Sequence, residues 1–224
     1  MKIVIAAAAL FLTSCSPKSD VCGIVGGDEL KRLTIPVAFG APGEVAVSVK
    51  IPGKFLCQSE GEKRESLRPL NYLTGQPVDK AGNDDRDVIS IRMRPWPSGR
   101  GEDMDGFRFW SRFEEIGERR FGLSYRPMKV ASRPPELWKR AYFKPDVSGR
   151  YFHITCIPPI APGSIGAPKY CKMTLLLGAE KVAGREWGGQ VDVAFAEDRL
   201  SDWPEIEERV KNLFEPTMRV GLLK

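Results

Sequence analysis

Apolar and polar residues alternate strictly in three segments of the chain. In segments 45–51, 89–93 and 191–195, every second residue is Val, Ile, Met or Phe, and the residues between are small, polar or charged. A period of two places the apolar side chains on one face of a β-strand and the others on the opposite face. The pattern therefore predicts three strands that each bury one face.

The end of the chain carries a helical pattern. Its apolar residues form one stripe at helical spacing: Ile206, Val210, Leu213 and Phe214. We expect Asp202 to cap this helix through its side chain, because Pro204 suits the first turn and Glu205 completes a capping box. Trp203 would pack on the sheet at the helix entrance. The patterns together predict an α+β fold, mainly antiparallel sheet with a C-terminal helix packed on it.

The two halves of the chain show similar spacings. A cysteine-bearing strand and an alternating strand each recur after about 100 residues, and a helix candidate at 107–116 corresponds to the C-terminal helix. This repetition suggests two similar α+β modules, over residues 43–127 and 128–224. The alternative is one α+β domain over residues 43–224.

The N-terminus has the pattern of an exported protein. Lys2 precedes ten apolar residues, 3–12, a length that suits the hydrophobic region of a signal peptide and is too short to span a bilayer. The sequence LTSC at 12–15 resembles the bacterial lipobox, in which a peptidase cleaves before the cysteine that receives the lipid. The resemblance implies a signal peptide over residues 1–14 and lipidation, including palmitate, on Cys15.

The residues after Cys15 indicate which membrane holds the predicted lipid anchor. Ser16 stands where the inner-membrane retention signal of lipoproteins usually has Asp, so the resemblance implies anchoring in the outer membrane. We expect the folded part to face the periplasm. Residues 15–42 are rich in polar and small residues, and they predict a lipidated tether with little regular structure.

Four cysteines remain once Cys15 is lipidated, and an oxidising compartment favours disulfides among them. Cys156 and Cys171 lie in two strand-like runs, where each shares a face with apolar residues, so a bridge between them is predicted. This bridge would close a loop of about 15 residues, which stabilises a fold by about 3 kcal/mol. Cys22 with Cys57 follows by elimination. The alternative of a zinc or reactive-thiol site lacks a CxxC pair.

Charge is segregated along the second half of the chain. Residues 126–150 hold seven bases and two acids, whereas residues 192–211 hold three bases and seven acids. Complementary charge steers association, and Arg with aromatic residues dominates binding hot spots. The basic segment therefore predicts a surface that binds a protein, with these candidate residues: Arg133, Trp138, Lys139 and Arg140. The alternative is that both charge runs are solvated faces.

The sequence shows no catalytic constellation. His153 is the single histidine, and it alternates away from the apolar face of its strand with no base partner in view. No serine-hydrolase elbow or phosphate loop is present, so we expect no enzymatic activity, no cofactor and no metal. The net charge of +5 is too small and dispersed to predict nucleic-acid binding.

The last 75 or so residues resemble lipid-anchored periplasmic immunity proteins that protect bacteria from type VI secretion effectors. The resemblance rests on the lipobox at Cys15, the strand pair with Cys156 and Cys171, and segment 191–195 followed by the terminal helix. It implies neutralisation of a toxin by direct binding, without chemistry. The alternatives are a structural or accessory lipoprotein of an envelope assembly or secretion system, and an envelope hydrolase with an unrecognised site.

Overall fold

The structure is a computed structural model that describes residues 22–36, 45–59, 65–78, 86–97, 116–129, 138–144, 152–157, 170–182 and 185–222. The strands and the α-helix follow in chain order: β1 (Cys22–Ile24), β2 (Leu30–Pro36), β3 (Val45–Pro52), β4 (Leu56–Ser59), β5 (Glu65–Leu67), β6 (Leu70–Asn71), β7 (Gln76–Pro77), β8 (Val88–Pro97), β9 (Arg119–Arg120), β10 (Leu123–Met128), β11 (Lys139–Phe143), β12 (Phe152–Ile157), β13 (Tyr170–Val182), β14 (Arg185–Ala196), α1 (Trp203–Phe214) and β15 (Arg219–Leu222). Short 3₁₀ helices occupy Gly53–Phe55 and Glu197–Asp202.

A large antiparallel sheet forms the centre of the described fold. Its strand order is β7-β6-β8-β14-β13-β12-β11-β10-β9. The predicted strands at 89–93 and 191–195 lie within β8 and β14, which pair directly and place Ile91 opposite Val193. The apolar residues of both strands are buried on the same face, as the alternation predicts.

A second layer covers the apolar face of the central sheet. It consists of the three-stranded sheet β15-β3-β2, which contains the predicted strand at 45–51, and of α1. Gly189 of β14 lets the two layers approach closely, because a Cβ there would lie 2.5 Å from Met218 Sδ and 3.3 Å from Val47 Cγ1. The main cluster of buried apolar side chains lies between these layers.

The terminal helix confirms the predicted stripe and corrects the predicted cap. Ile206, Val210 and Phe214 are fully buried, and the Trp203 ring lies 5.2 Å from that of Phe152 on the sheet. The side chain of Asp202 makes no cap hydrogen bond. The preceding 3₁₀ helix runs directly into α1, so Asp202 has a near-helical backbone (φ −88°, ψ 8°) and its carboxylate points elsewhere. The predicted fold class, antiparallel sheet with a C-terminal helix packed on it, is confirmed.

Strands from both proposed modules share the central sheet. The boundary between residues 127 and 128 lies inside β10, and β8 of the first module pairs with β14 of the second. The two cysteine-bearing strands differ in position, because β4 belongs to the small sheet β1-β4-β5 whereas β12 lies in the central sheet. The helix candidate at 107–116 falls mostly outside the described residues.

Part of the predicted tether belongs to the fold. Within residues 15–42, β1 pairs with β4, and β2 pairs along its whole length with β3. Leu33 is buried and Ile35 is half-buried, so the alternation of Leu33-Thr34-Ile35 directs two apolar side chains toward the core. The expectation of little regular structure is therefore wrong for these strands. This short alternation stands among charged residues and glycines, so the composition of residues 15–42 as a whole did not indicate a strand.

Candidate protein-binding surface

Two of the predicted disulfide cysteines are bonded to each other in the structure. Cys156 and Cys171 form a disulfide, as predicted, and they lie directly opposite each other in the β12–β13 register. Cys57 is also disulfide-bonded. The strand that carries Cys22 pairs with the strand that carries Cys57, but the bridge between these two residues stays a prediction. Cys15 and the predicted signal peptide lie outside the described residues.

The basic and acidic segments contact each other within the chain. Arg140 Nη1 lies 2.6 Å from Glu197 Oε1, and both side chains are mostly buried. Lys144 Nζ donates to both carboxylate oxygens of Glu207, at 2.7 and 2.8 Å. The segregated charges at these positions therefore neutralise one another inside the fold. Arg140 is engaged in this way, and we no longer assign it to a surface that meets a partner.

Lys144 links the central sheet to the terminal helix. Its ammonium lies 4.5 Å from the centroid of the Phe152 ring and 5.3 Å from that of Trp203. Glu207 also accepts from Lys211, one turn further along α1, at 2.8 Å. Lys144 is thus enclosed by two rings and a carboxylate, an arrangement that stabilises the fold.

The other candidate residues of the basic segment have different positions. Arg133 lies outside the described residues, whereas Trp138 and Lys139 are half-buried. Lys139 precedes Arg140 on β11, so its side chain lies on the opposite face of the sheet. On that face Ala141 and Phe143 pack with Met128 in a small apolar cluster separate from the main core. Lys139 therefore belongs to the face of the sheet away from α1, which we call the outer face.

The outer face carries an exposed group of cations that the sequence analysis did not single out. On β8 the residues between the buried positions, Ser90, Arg92 and Arg94, are all exposed. Asp192 of β14 lies opposite Arg92. Lys172 of β13 is a diagonal neighbour of Asp192 on one side, and Arg94 is its diagonal neighbour on the other. We call Arg92, Arg94 and Lys172, arranged around Asp192, the basic cluster.

Neutral side chains fix the carboxylate at the centre of the basic cluster. Asp192 Oδ1 accepts hydrogen bonds from Thr174 Oγ1 and Gln190 Nε2, each at 2.8 Å. Its Oδ2 lies 3.9 Å from Arg94 Nη2 and 3.7 Å from Lys172 Nζ, beyond hydrogen-bond distance. The side chain of Asp192 is 13% exposed, against 48% for Arg94 and 39% for Lys172. The cations are therefore more accessible than the acid between them.

An aromatic residue stands next to the basic cluster. The guanidinium carbon of Arg94 lies 5.1 Å from the centroid of the Trp96 ring, two residues along β8. This cation–π contact holds the guanidinium over a flat apolar surface. The polar residues at alternate positions of 90–94, followed by Trp96, were the sequence signal for this surface. The sequence alone could not show that β13 and β14 bring Lys172 and Asp192 beside them.

A second polar network lies near the start of α1. The Tyr72 hydroxyl donates to Asp202 Oδ2 at 2.6 Å, and Arg199 lies 2.7 Å from Asp87 and 3.7 Å from Asp202. Burial and this hydrogen bond raise the pKa of Tyr72 well above its ordinary value. The hydrogen bond from Tyr72 holds the pKa of Asp202 below its ordinary value. The network joins the turn after β6 to the helix entrance.

An open groove of about 260 Å³ borders this network, and it is lined by Tyr72, Leu73, Glu205, Glu208, Arg209 and Asn212. Arg209 donates to the carbonyl oxygens of Tyr72 and Leu73 at 3.2 Å each, which fixes the groove. His153 is half-buried on the outer face, with its ring 6.5 Å from that of Phe143. In the described ranges no three His, Cys, Asp or Glu residues are placed to hold a metal ion.

Comparison of the chain with protein-family models, with curated proteins and with solved structures finds no match. Across the part of the chain that the structure describes, no helix is both long enough and apolar enough to cross a membrane.

Proposed function

We propose that the protein is an outer-membrane lipoprotein that acts by binding another protein, and that the outer face is its binding surface. The lipobox at Cys15 supports the location, and the disulfide between Cys156 and Cys171 suits an oxidising compartment. The basic cluster is the observation that carries the binding role. It presents exposed cations and a Trp on a flat strand surface.

The shape and composition of this surface favour a protein as the ligand. Small-molecule sites are concave, whereas Arg92, Arg94 and Trp96 project from one strand of a broad sheet. Arg and Trp are enriched among the residues that dominate protein interfaces. A sheet also holds the backbone beneath these side chains in place before binding, which lowers the entropy lost on association.

Neutralisation of a secreted toxin is the form of this function that we propose. The resemblance of the C-terminal part to immunity proteins supports it, because those proteins act by direct binding. An immunity protein needs a surface that binds its toxin and no catalytic groups of its own, and the exposed cations of the basic cluster support such a surface.

Site-specific photocrosslinking in cells tests the binding role. A benzophenone amino acid at Ser90, an exposed position on the outer face, should form an adduct with a protein in the native envelope. The same amino acid at Leu73, which is exposed beside the groove, is the control for non-specific capture. We expect an adduct from position 90 that decreases when Arg94 is replaced by Ala. Equal adducts at both positions, or none at position 90, would contradict the proposal.

A further inference from the structure

The basic cluster carries an excess of positive charge. Arg92, Arg94 and Lys172 surround one carboxylate, that of Asp192. The Oδ1 atom of this carboxylate is already occupied by two neutral donors, and its Oδ2 atom is out of hydrogen-bond reach of both flanking cations. Among the described residues no acceptor lies within hydrogen-bond distance of the Arg94 and Lys172 side chains, which are 48% and 39% exposed, so their N–H groups can donate to an acceptor from outside the chain.

Arg94 has the geometry of an anchor for a carboxylate. A guanidinium presents its donors as a planar fork that matches the two oxygens of a carboxylate, and an ammonium does not. The contact with the Trp96 ring restricts the Arg94 guanidinium, so less side-chain freedom is lost when it binds. Arg92 lies two residues away on the same strand, about 7 Å along it. A second carboxylate at that spacing would reach it.

We propose that the basic cluster binds acidic side chains of the protein partner, with Arg94 donating two hydrogen bonds to one carboxylate. Arg92 and Lys172 then pair with further carboxylates, because the register places both of them on the same side of Arg94 along the strands. This inference rests on the proposed function and names the chemistry of the partner at the same site. An extended acidic segment fits best, because side chains at alternate positions of a strand repeat at the spacing of Arg92 and Arg94.

The central carboxylate lowers the net charge of the basic cluster. The Asp192 carboxylate lies within 4 Å of Arg94 and Lys172, so any anion bound there is also repelled by it. The spacing of Arg92 and Arg94 along one strand, rather than their charge alone, favours a protein segment over a lipid headgroup.

Peptide binding to the full-length lipidated protein in detergent micelles tests this inference. The probe is a short fluorescent peptide of alternating Ser and Glu, and the matched peptide has Gln in place of Glu. Fluorescence anisotropy should show binding of the Glu peptide that weakens with added salt, because salt screens exposed charges. Arg94→Gln should weaken it about threefold to tenfold. Arg32→Gln removes the same charge from the exposed side of β2 and should leave it unchanged.

Asp192→Asn gives an effect of the opposite sign. The amide keeps an oxygen for Thr174 and Gln190 and removes the repelling charge, so the Glu peptide should bind more tightly. A variant that only damaged the fold would not gain affinity. Equal binding of the Glu and Gln peptides, or equal effects of Arg94→Gln and Arg32→Gln, would overturn the inference.

Two further outcomes separate this inference from the proposed function. Binding of phosphatidylglycerol vesicles that is lost in Arg94→Gln, without binding of the Glu peptide, would assign the cluster to lipid and overturn the inference. A crosslinked partner at position 90 whose yield is the same in Arg94→Gln would leave the binding function standing while overturning the acidic contact. Failure of the crosslink with normal peptide binding would refute the proposed surface in the cell and leave the carboxylate chemistry supported.

Discussion

Replacing Lys144 with Met should destabilise the fold by about 2 kcal/mol. The Met side chain keeps most of the apolar contact with the rings of Phe152 and Trp203, but it removes the ammonium that donates to both oxygens of Glu207. Glu207 is then a carboxylate with 9% exposure whose described ion pair is with Lys211 alone.

The magnitude follows from the burial of the two partners. Breaking a fully buried ion pair costs about 3–5 kcal/mol, whereas an exposed pair contributes about 0–1 kcal/mol. The pair of Lys144 and Glu207 lies between these limits, because Lys144 is 23% exposed and Lys211 remains in contact with the carboxylate. The matched control is Lys211→Met. It breaks an i,i+4 pair whose lysine is 39% exposed, while Lys144 still donates to both oxygens of Glu207, so it should cost about 0.5 kcal/mol or less.

A double-mutant cycle with Glu207→Gln isolates the interaction of the two charges. The free energy of unfolding would be measured by urea denaturation of the oxidised protein, with an unchanged m-value as the check that unfolding remains comparable. We expect a coupling energy of about 1 kcal/mol or more between Lys144 and Glu207. The reasoning is refuted if Lys144→Met costs no more than Lys211→Met, or if the coupling energy is near zero.

Three other predictions concern the lipid anchor, the disulfide and the stability of the fold in acid. Cys15→Ser should abolish labelling with palmitate, and a wild-type protein that takes up no label would show that the lipobox interpretation is wrong. Replacing Cys156 and Cys171 by Ala should lower the free energy of unfolding by about 3 kcal/mol, measured in urea, and an unchanged midpoint would contradict the loop-closure argument. The lowered pKa of Asp202 stabilises the fold above about pH 4, and this contribution is lost as the pH falls through the folded-state pKa. Tyr72→Phe should reduce this acid dependence in urea unfolding between about pH 2 and 6, whereas an unchanged slope would contradict it.

The sequence predicted the elements whose pattern is local. The alternation in 45–51, 89–93 and 191–195 predicted strands, and all three are present with the expected buried face. The stripe of the terminal helix was equally clear. These patterns succeed because burial of one face depends only on the period of the chain itself.

The prediction of the helix cap failed because a capping box assumes an extended residue before the helix. Asp202 instead is the last residue of a 3₁₀ helix. Its carboxylate accepts a hydrogen bond from the hydroxyl of Tyr72, which lies 130 residues away in the chain. A local motif cannot reveal such a distant competitor for the same oxygen.

Most of the candidate surface could not be predicted for a related reason. The sequence shows that basic and acidic residues are segregated, but only the order of the strands shows that Arg140 and Lys144 contact the acidic segment. In the same way, Arg94 and Lys172 come together because β14 lies between their strands. Lys139, a candidate residue of the predicted binding surface, is half-buried on the outer face, and its role there stays a prediction.

The pairing of β8 with β14 has a consequence for the order in which the chain folds. About 100 residues separate these neighbours, so joining them closes a long loop and gives the fold many non-local contacts, which is typical of slow folding. One edge of β8 therefore lacks its native neighbour until β14 is free to pair with it. We expect the charges of Arg92 and Arg94 to oppose association of that edge with other unfolded chains in this interval. The same cations would then serve the folding of the chain as well as the proposed binding surface.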